Sequence, residues 1–160
     1  LIELLVVIAI IGILSSVVLA SLNTARNKGA DAAIKGDFAG IRASAEVNYD
    51  TLGNKYSNTA VAIASAVCST LTTAGTILAD ASIQNALKHA KTQGSGSDSD
   101  CGITATGDAY SIAAPLKTTG KYWCIDSTGV ARTTLAAGTD YSTLTGVTGP
   151  HTASGATVCN

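Results

Sequence analysis

Charge is scarce in this sequence. Asp, Glu, Lys and Arg make up 13% of its 160 residues, about half the usual share of a soluble protein. The net charge is −1, which argues against a basic nucleic-acid-binding surface and against an acidic interaction tail. Aromatic residues are 4%, too few for a base-stacking platform, so Trp123 and the tyrosines read as sheet core. Only two prolines occur, Pro115 and Pro150. Residues 1–114 therefore lack the residue that most reliably breaks a helix. GxSxG, HExxH and P-loop patterns are missing, and no His/Cys or His/Asp grouping supports nucleophilic catalysis. The reading is of a protein that is not an enzyme and has no cofactor. Its length allows one modest core, not two.

Ala, Gly, Ser and Thr fill the space that charge leaves. An exterior of that kind disperses a free monomer poorly. It suits a subunit that buries much of its surface in an assembly, or one that carries sugars. No N-x-S/T sequon is present, and the Gly/Thr-rich tail from residue 136 reads as solvated loop ahead of a glycan carrier.

The apolar content is concentrated at the start. Residues 4–25 contain no charged side chain and are mostly Leu, Ile, Val and Ala. As a helix the stretch is roughly 33 Å long, enough to cross a bilayer. It is apolar on every side, which fits burial in lipid or protein rather than half-solvation. Gly12, Ser15, Ser16, Ala20 and Ser21 are small residues of the kind that let helices approach closely. The run is longer than the core of a signal peptide, and the helical pattern continues past it.

After Asn23 the chain becomes amphipathic. Ile34, Phe38, Ile41 and Ala45 recur at steps of three and four, one face of a helix. Asp31 with Lys35, and Arg42 with Glu46, have the i, i+4 spacing of opposite-charge pairs, each stabilising by a few tenths of a kcal/mol. Gly29, Gly36 and Gly40 each weaken a helix by about 1 kcal/mol relative to Ala; they mark a bend or a close approach of another helix. One helix to about Tyr49 is predicted, ending at the Leu52-Gly53-Asn54 turn signal and roughly 70–75 Å long. A small domain cannot bury such a rod, so its first half must protrude. The chain divides into a hydrophobic half-helix (1–25), an amphipathic half-helix (26–52) and a head (53–160).

Within the head, residues 55–75 have no clear pattern. Residues 80–91 read as a short helix, with Asp80 or Ser82 as cap, Ile83, Ala86, Leu87 and Ala90 on one face, and Lys88, His89 and Lys91 in the last turn. On that placement His89 is a solvated residue rather than a ligand. Residues 93–102 read as a flexible loop. Residues 110–116, 121–126 and 130–135 read as three strands of an antiparallel meander, with Pro115 at an edge or strand end.

Four cysteines, Cys68, Cys101, Cys124 and Cys159, all follow the hydrophobic segment. None forms a CxxC pair, and neither His89 nor His151 stands at a zinc-ligand spacing from them. Disulfides formed in an oxidising compartment are expected. Of the three connectivities, Cys68–Cys101 with Cys124–Cys159 is favoured, since it staples neighbouring segments and ties down the tail.

Glu3 is the most informative residue. A carboxylate at the end of a membrane helix is a functional candidate by default, although a helix N-terminus also favours negative charge. The segment Leu1-Ile2-Glu3-Leu4-Leu5-Val6-Val7-Ile8-Ala9-Ile10-Ile11-Gly12-Ile13-Leu14 closely resembles the class III signal segment of type IV pilins and type II secretion pseudopilins. The resemblance covers residues 1–30 in detail and the layout of the rest in outline; Ser21-Leu22-Asn23-Thr24-Ala25-Arg26 and Tyr122-Trp123-Cys124-Ile125-Asp126-Ser127 are weaker matches.

The resemblance implies an α+β pilin fold, a long N-terminal helix on a small antiparallel sheet, and a subunit of an extracellular type IV pilus filament. It also implies storage in the cytoplasmic membrane, processing by a prepilin peptidase, N-terminal methylation and a dedicated assembly machinery. Leu1, Ile2, Glu3, Leu4, Leu5 and Gly12 are the implied assembly residues, with Glu3 paired to the N-terminal amine of a neighbouring copy. Family chains usually begin Phe-Thr before Leu-Ile-Glu, whereas this sequence begins at Leu1, so the cleavage site and the methylated residue are not located. The proline common at the end of the family's apolar run is absent, and a melted stretch in the filament is expected, if anywhere, at residues 12–16. Asp98 and Asp100 could touch calcium, as a pseudopilin loop does, but a solvated loop is the stronger reading and no metal is assigned. Two other readings remain: a pseudopilin of a secretion or DNA-uptake machine, and a single-pass anchored adhesin or receptor that never polymerises.

Overall fold

The computed structural model describes residues 1–59, 63–118, 120–134 and 159, without the side chains of 63–67 and 134. Helix α1 runs unbroken from Ile2 to Thr51, about 75 Å. It stops where Gly53 and Asn54 both adopt positive φ (76° and 61°), the left-handed conformation that ends helices and that Gly and Asn adopt most readily. The Leu52 and Asn54 amides close the end on the carbonyls of Asn48 and Tyr49, both at 2.9 Å. The buried residues of α1 are Ile34, Phe38, Ile41 and Ala45. Residues 1–26 are exposed throughout. Among the described residues, the head thus packs on the second half of the helix alone.

The head adds strand β1 (Ile63–Val67), short 3₁₀ turns at Cys68–Thr70 and Ile77–Ala79, helix α2 (Ala81–Gln93), and strands β2 (Asp100–Ile103), β3 (Tyr110–Pro115), β4 (Tyr122–Asp126) and β5 (Ala131–Thr134). The five strands form one antiparallel sheet in sequence order. Pro115 ends its strand, where its missing N–H costs least. The reading of a three-strand meander was too small. Residues 93–102 are not one loop: α2 takes Gln93, and Asp100, Cys101 and Gly102 lie in β2. Asp and Gly carry little strand propensity. What makes them a strand is pairing on both sides, with β1 and with β3.

Helix α2 lies antiparallel against α1, with Ser82 Oγ 3.1 Å from Ser44 Oγ at one end and His89 Nδ1 2.8 Å from Asp37 Oδ2 at the other. One core fills the space between the two helices and the sheet, joining Phe38, Ile41, Leu87, Tyr110, Ile112 and Ile125 among others. A second, smaller cluster of Ala113, Cys124 and Cys159 is distinct from it. Strand β3 is buried at every position.

Asp80 caps α2. Its Oδ1 accepts from the Ser82 and Ile83 amides at 2.8 and 3.1 Å. The Ser82 hydroxyl and these amides hold its carboxyl below the usual range against a smaller cost of burial. Asp80→Ala is expected to destabilise the head by about 1 kcal/mol at neutral pH. A carboxyl with a depressed folded-state pKa stabilises only above its unfolded pKa of about 4, and that contribution is lost as pH falls through the folded value. The melting curves of wild type and variant should therefore converge in acid. A gap that persists at pH 2 would show that the lost stability is not the carboxylate's.

Candidate assembly site

Leu1 caps α1 with its carbonyl, which accepts from the Leu5 amide at 3.2 Å, and Ile2, Glu3, Leu4 and Leu5 occupy the first turns, all exposed. From there to Leu22 the large side chains remain 45% or more exposed on every side of the rod. Gly12 lies in open space: a Cβ added there meets nothing within 4 Å. The helix is continuous through residues 12–16, with Ser16 Oγ donating to the Ile13 carbonyl at 2.7 Å. The candidate residues therefore form no pocket with one another. They make a surface that no described part of the head covers.

Covering it matters energetically. Each Leu, Ile or Val taken from water contributes about 1.5–3 kcal/mol, so the rod as a whole stands to gain on the order of tens of kcal/mol. Its length and composition suit a membrane span.

The second half of α1 carries charges that the head uses. Asp31 does not pair with Lys35; its carboxylate accepts from the Lys117 and Thr118 amides at 2.6 and 3.2 Å and from the Thr118 hydroxyl. Lys35 instead sits 4.8 Å above the Trp123 ring, a cation–π contact. Arg42 does not pair with Glu46. It donates to the carbonyls of Gly129 and Val130 at 2.7 and 2.8 Å, while Glu46 accepts from Tyr56 Oη at 3.0 Å. The i, i+4 spacing suggested surface pairs worth tenths of a kcal/mol. Charge-assisted hydrogen bonds to the head are stronger and claimed the same groups. Each charge fixes the head at one level of the helix.

On the other side of this half, Gly36 and Gly40 are exposed, and an added Cβ meets nothing within 4 Å at Gly29, Gly36 or Gly40. The helix runs unbroken through all three. A glycine in open space, mid-helix, weakens its own chain without serving the chain's own packing.

The cysteines pair as Cys68–Cys101 and Cys124–Cys159, with Cα separations of 5.6 and 5.9 Å. The first ties the turn after β1 to β2 in the main core. The second holds residue 159 against β4, where Asp126 accepts from the Cys159 amide at 2.8 Å and Arg132 donates to its carbonyl. The rest of the tail, and Leu135 of the third predicted strand, lie outside the described residues.

Asp98 and Asp100 are not a pair of waiting ligands. Asp98 is bound by Lys91 Nζ at 2.7 Å and by the Ser69 hydroxyl, which together hold its carboxyl below the usual range. Asp100 is placed in β2, and no cluster of three potential metal ligands occurs among the described residues. His89 is half-exposed and takes Asp37 as partner. Gln84 escaped the sequence reading altogether. It lies on the buried face of α2, and its amide donates to the carbonyls of Cys68, Leu71 and Leu78 at 3.0, 2.7 and 2.9 Å, holding both 3₁₀ turns to the helix.

A chain of tyrosines closes the far end of the core. Tyr49 and Tyr56 meet tilted, and Tyr56 and Tyr110 edge to face, with centroids 4.9 and 4.6 Å apart. Burial and the Glu46 hydrogen bond push the Tyr56 phenol up to about 12, and burial pushes Tyr110 up as well. A raised phenol keeps its proton in the native state where the unfolded chain has lost it, so stability is full below pH 10 and falls above it. The Tyr110 hydroxyl is buried with no hydrogen-bond partner among the described residues. Tyr110→Phe should therefore leave stability at neutral pH within about 1 kcal/mol of wild type and flatten the alkaline decline, as read from melting temperatures at pH 8–12. An unchanged slope would remove Tyr110 from the explanation.

No protein-family model matches the chain, and neither a curated protein nor a solved structure matches it.

Proposed function

We propose that this chain is a structural subunit of the type IV pilin class, stored in a membrane by the first half of α1 and assembled through the same surface into an extracellular filament. The observation that carries the reading is the helix itself. Half of it projects bare from the head, apolar all round, with a carboxylate at the third position. Lipid can cover that surface before assembly, and the same half-helices of neighbouring copies can cover it afterwards. Exchanging one apolar environment for the other leaves many identical contacts in the product. The disulfide-stapled head then coats the outside, and Glu3 sets the register, since a carboxylate left unpaired in a dry core costs several kcal/mol.

The small exposed face of the amphipathic half supports the same reading. Gly36→Ala and Gly40→Ala should each raise the stability of the unassembled chain by about 0.5–1 kcal/mol, because the helix gains propensity and the space is open. If neighbouring helices pack there, the same methyl groups obstruct close approach and filament yield falls. Higher thermal stability in detergent together with fewer sheared filaments is the expected pair of results. Stability and yield rising together would leave the glycines without an assembly role.

The direct test is electron microscopy of material sheared from the source cells, with filament composition read by mass spectrometry. Thin filaments made mainly of this chain are expected. A chain found only as monomers in the membrane fraction would sink the filament reading.

A further inference from the structure

Where the bare rod meets the head there is a groove of about 470 Å³, within the range of small-ligand sites. Its walls are α1, the end of α2 and the turn after β3. Its polar lining is Asn23, Arg26, Asn27, Thr92, Gln93 and Lys117. Two are cations, Asn23 and Asn27 offer amide donors, the Thr92 hydroxyl already donates to the His89 carbonyl at 2.8 Å, Gln93 Nε2 lies 3.2 Å from His89 Nε2, and among the described residues no carboxylate lines the groove. The nearest acid on α1, Asp31, is bound by Lys117 N, Thr118 N and the Thr118 hydroxyl. Lys117 Nζ gives one bond to the Gly94 carbonyl at 3.2 Å, which offsets the negative end of α2 and leaves further protons free. The Arg26 guanidinium has no hydrogen-bond or ion-pair partner among the described residues.

The depth of the groove identifies its occupant. The uncharged stretch from Leu4 to Leu22 spans roughly 30 Å as a helix, the thickness of a bilayer's hydrocarbon core. Asn23 then emerges at the interface, and Arg26 and Asn27 stand one turn further out, in the headgroup layer. We propose that this groove binds the phosphodiester headgroup of an anionic phospholipid while the subunit is stored in the membrane. The inference rests on the membrane-stored form of the preceding section. It adds a specific lipid contact that fixes the depth and rotation of the waiting subunit.

The test uses the full chain in nanodiscs of mixed phosphatidylcholine and phosphatidylglycerol. Native mass spectrometry then reads the ratio of the two lipids that stay bound on release. Wild type should retain phosphatidylglycerol preferentially. Arg26→Gln and Lys117→Gln should each lower that preference about five-fold, the scale of one basic residue at a membrane surface. Lys28→Gln is the control: Lys28 sits at nearly the same depth, on the far side of the helix, outside the groove's lining. Gly29→Leu fills the groove without changing charge, and its backbone site is open, so it should act like Arg26→Gln.

A Lys28→Gln loss as large as that of Arg26→Gln would mean diffuse attraction and overturn the proposal, as would a Gly29→Leu variant that binds like wild type. Displacement of the lipid by excess glycerol phosphate, or binding of inorganic phosphate in phosphatidylcholine discs, would assign the groove to a free anion instead. A chain that inserts without lipid preference sinks this inference alone. A chain that does not enter the discs sinks the membrane reading with it.

Discussion

Glu3→Gln is expected to reduce filament yield at least tenfold while the chain still enters the membrane and its head still melts at the wild-type temperature. The separation of effects follows from position. Glu3 lies in the first turn of α1, many turns from Ile34, the first buried residue of the core, so the head does not depend on it. In the proposed membrane-stored form the position would lie near the interface, where a neutral amide costs nothing extra. Under the proposed function, each copy in a filament core would present its N-terminal amine to a neighbour's carboxylate. Removing one partner of a buried charge pair costs about 3–5 kcal/mol, and each 1.4 kcal/mol is tenfold in an equilibrium constant. The loss recurs at every subunit added. Sheared filaments counted by microscopy, with the membrane pool measured by blotting, give both halves of the result. Normal yield from Glu3→Gln would dismiss the register role, whatever the filament is made of. Glu3→Asp should fall between, because the charge is kept and only its reach is shortened.

The second large effect is on the head alone. The disulfides close segments with sequence separations of 33 and 35 residues. The loop-closure estimate for such lengths is about 3–4 kcal/mol each. For a domain of this size that corresponds to roughly 10–15 °C in melting temperature per bridge. Replacing Cys68 and Cys101 together by Ala should show the full drop, because both lie in the main core beside β1 and β2. Replacing Cys124 and Cys159 should cost a similar amount by loop closure but disturb a smaller cluster; Asp126 and Arg132 still offer hydrogen bonds to residue 159. A reduced chain melting within two or three degrees of the oxidised one would contradict the estimate. Neither pair touches Glu3 or the bare half of α1, so a disulfide variant that assembles poorly would do so through an unstable head.

What the sequence determined by itself was everything with a local signal. Twenty-two uncharged residues followed by the Ile34, Phe38, Ile41, Ala45 spacing specify a helix, its length and the place where the head must sit. Gly53 and Asn54 specify where it ends, Asp80 where α2 begins, and the turns after β3 and β4 specify three strands. Each rests on residues a few positions apart, whose geometry is set by their own turn of chain. The candidate site was legible for the same reason: an apolar rod with one acid is a property of a single segment.

The tertiary structure decided what depends on residues far apart. Strands β1 and β2 exist because each finds a partner across the sheet, not because their residues prefer to be extended. Asp31, Arg42 and Glu46 abandon the neighbours that helical spacing offered for groups on the head, some of them more than eighty residues away. Gln84 is polar and buried because three carbonyls converge on it. The groove at the base of the head exists only where α1, α2 and the turn after β3 meet. Periodicity along the chain records which face of a segment is apolar, but not which distant backbone will arrive to satisfy its charges.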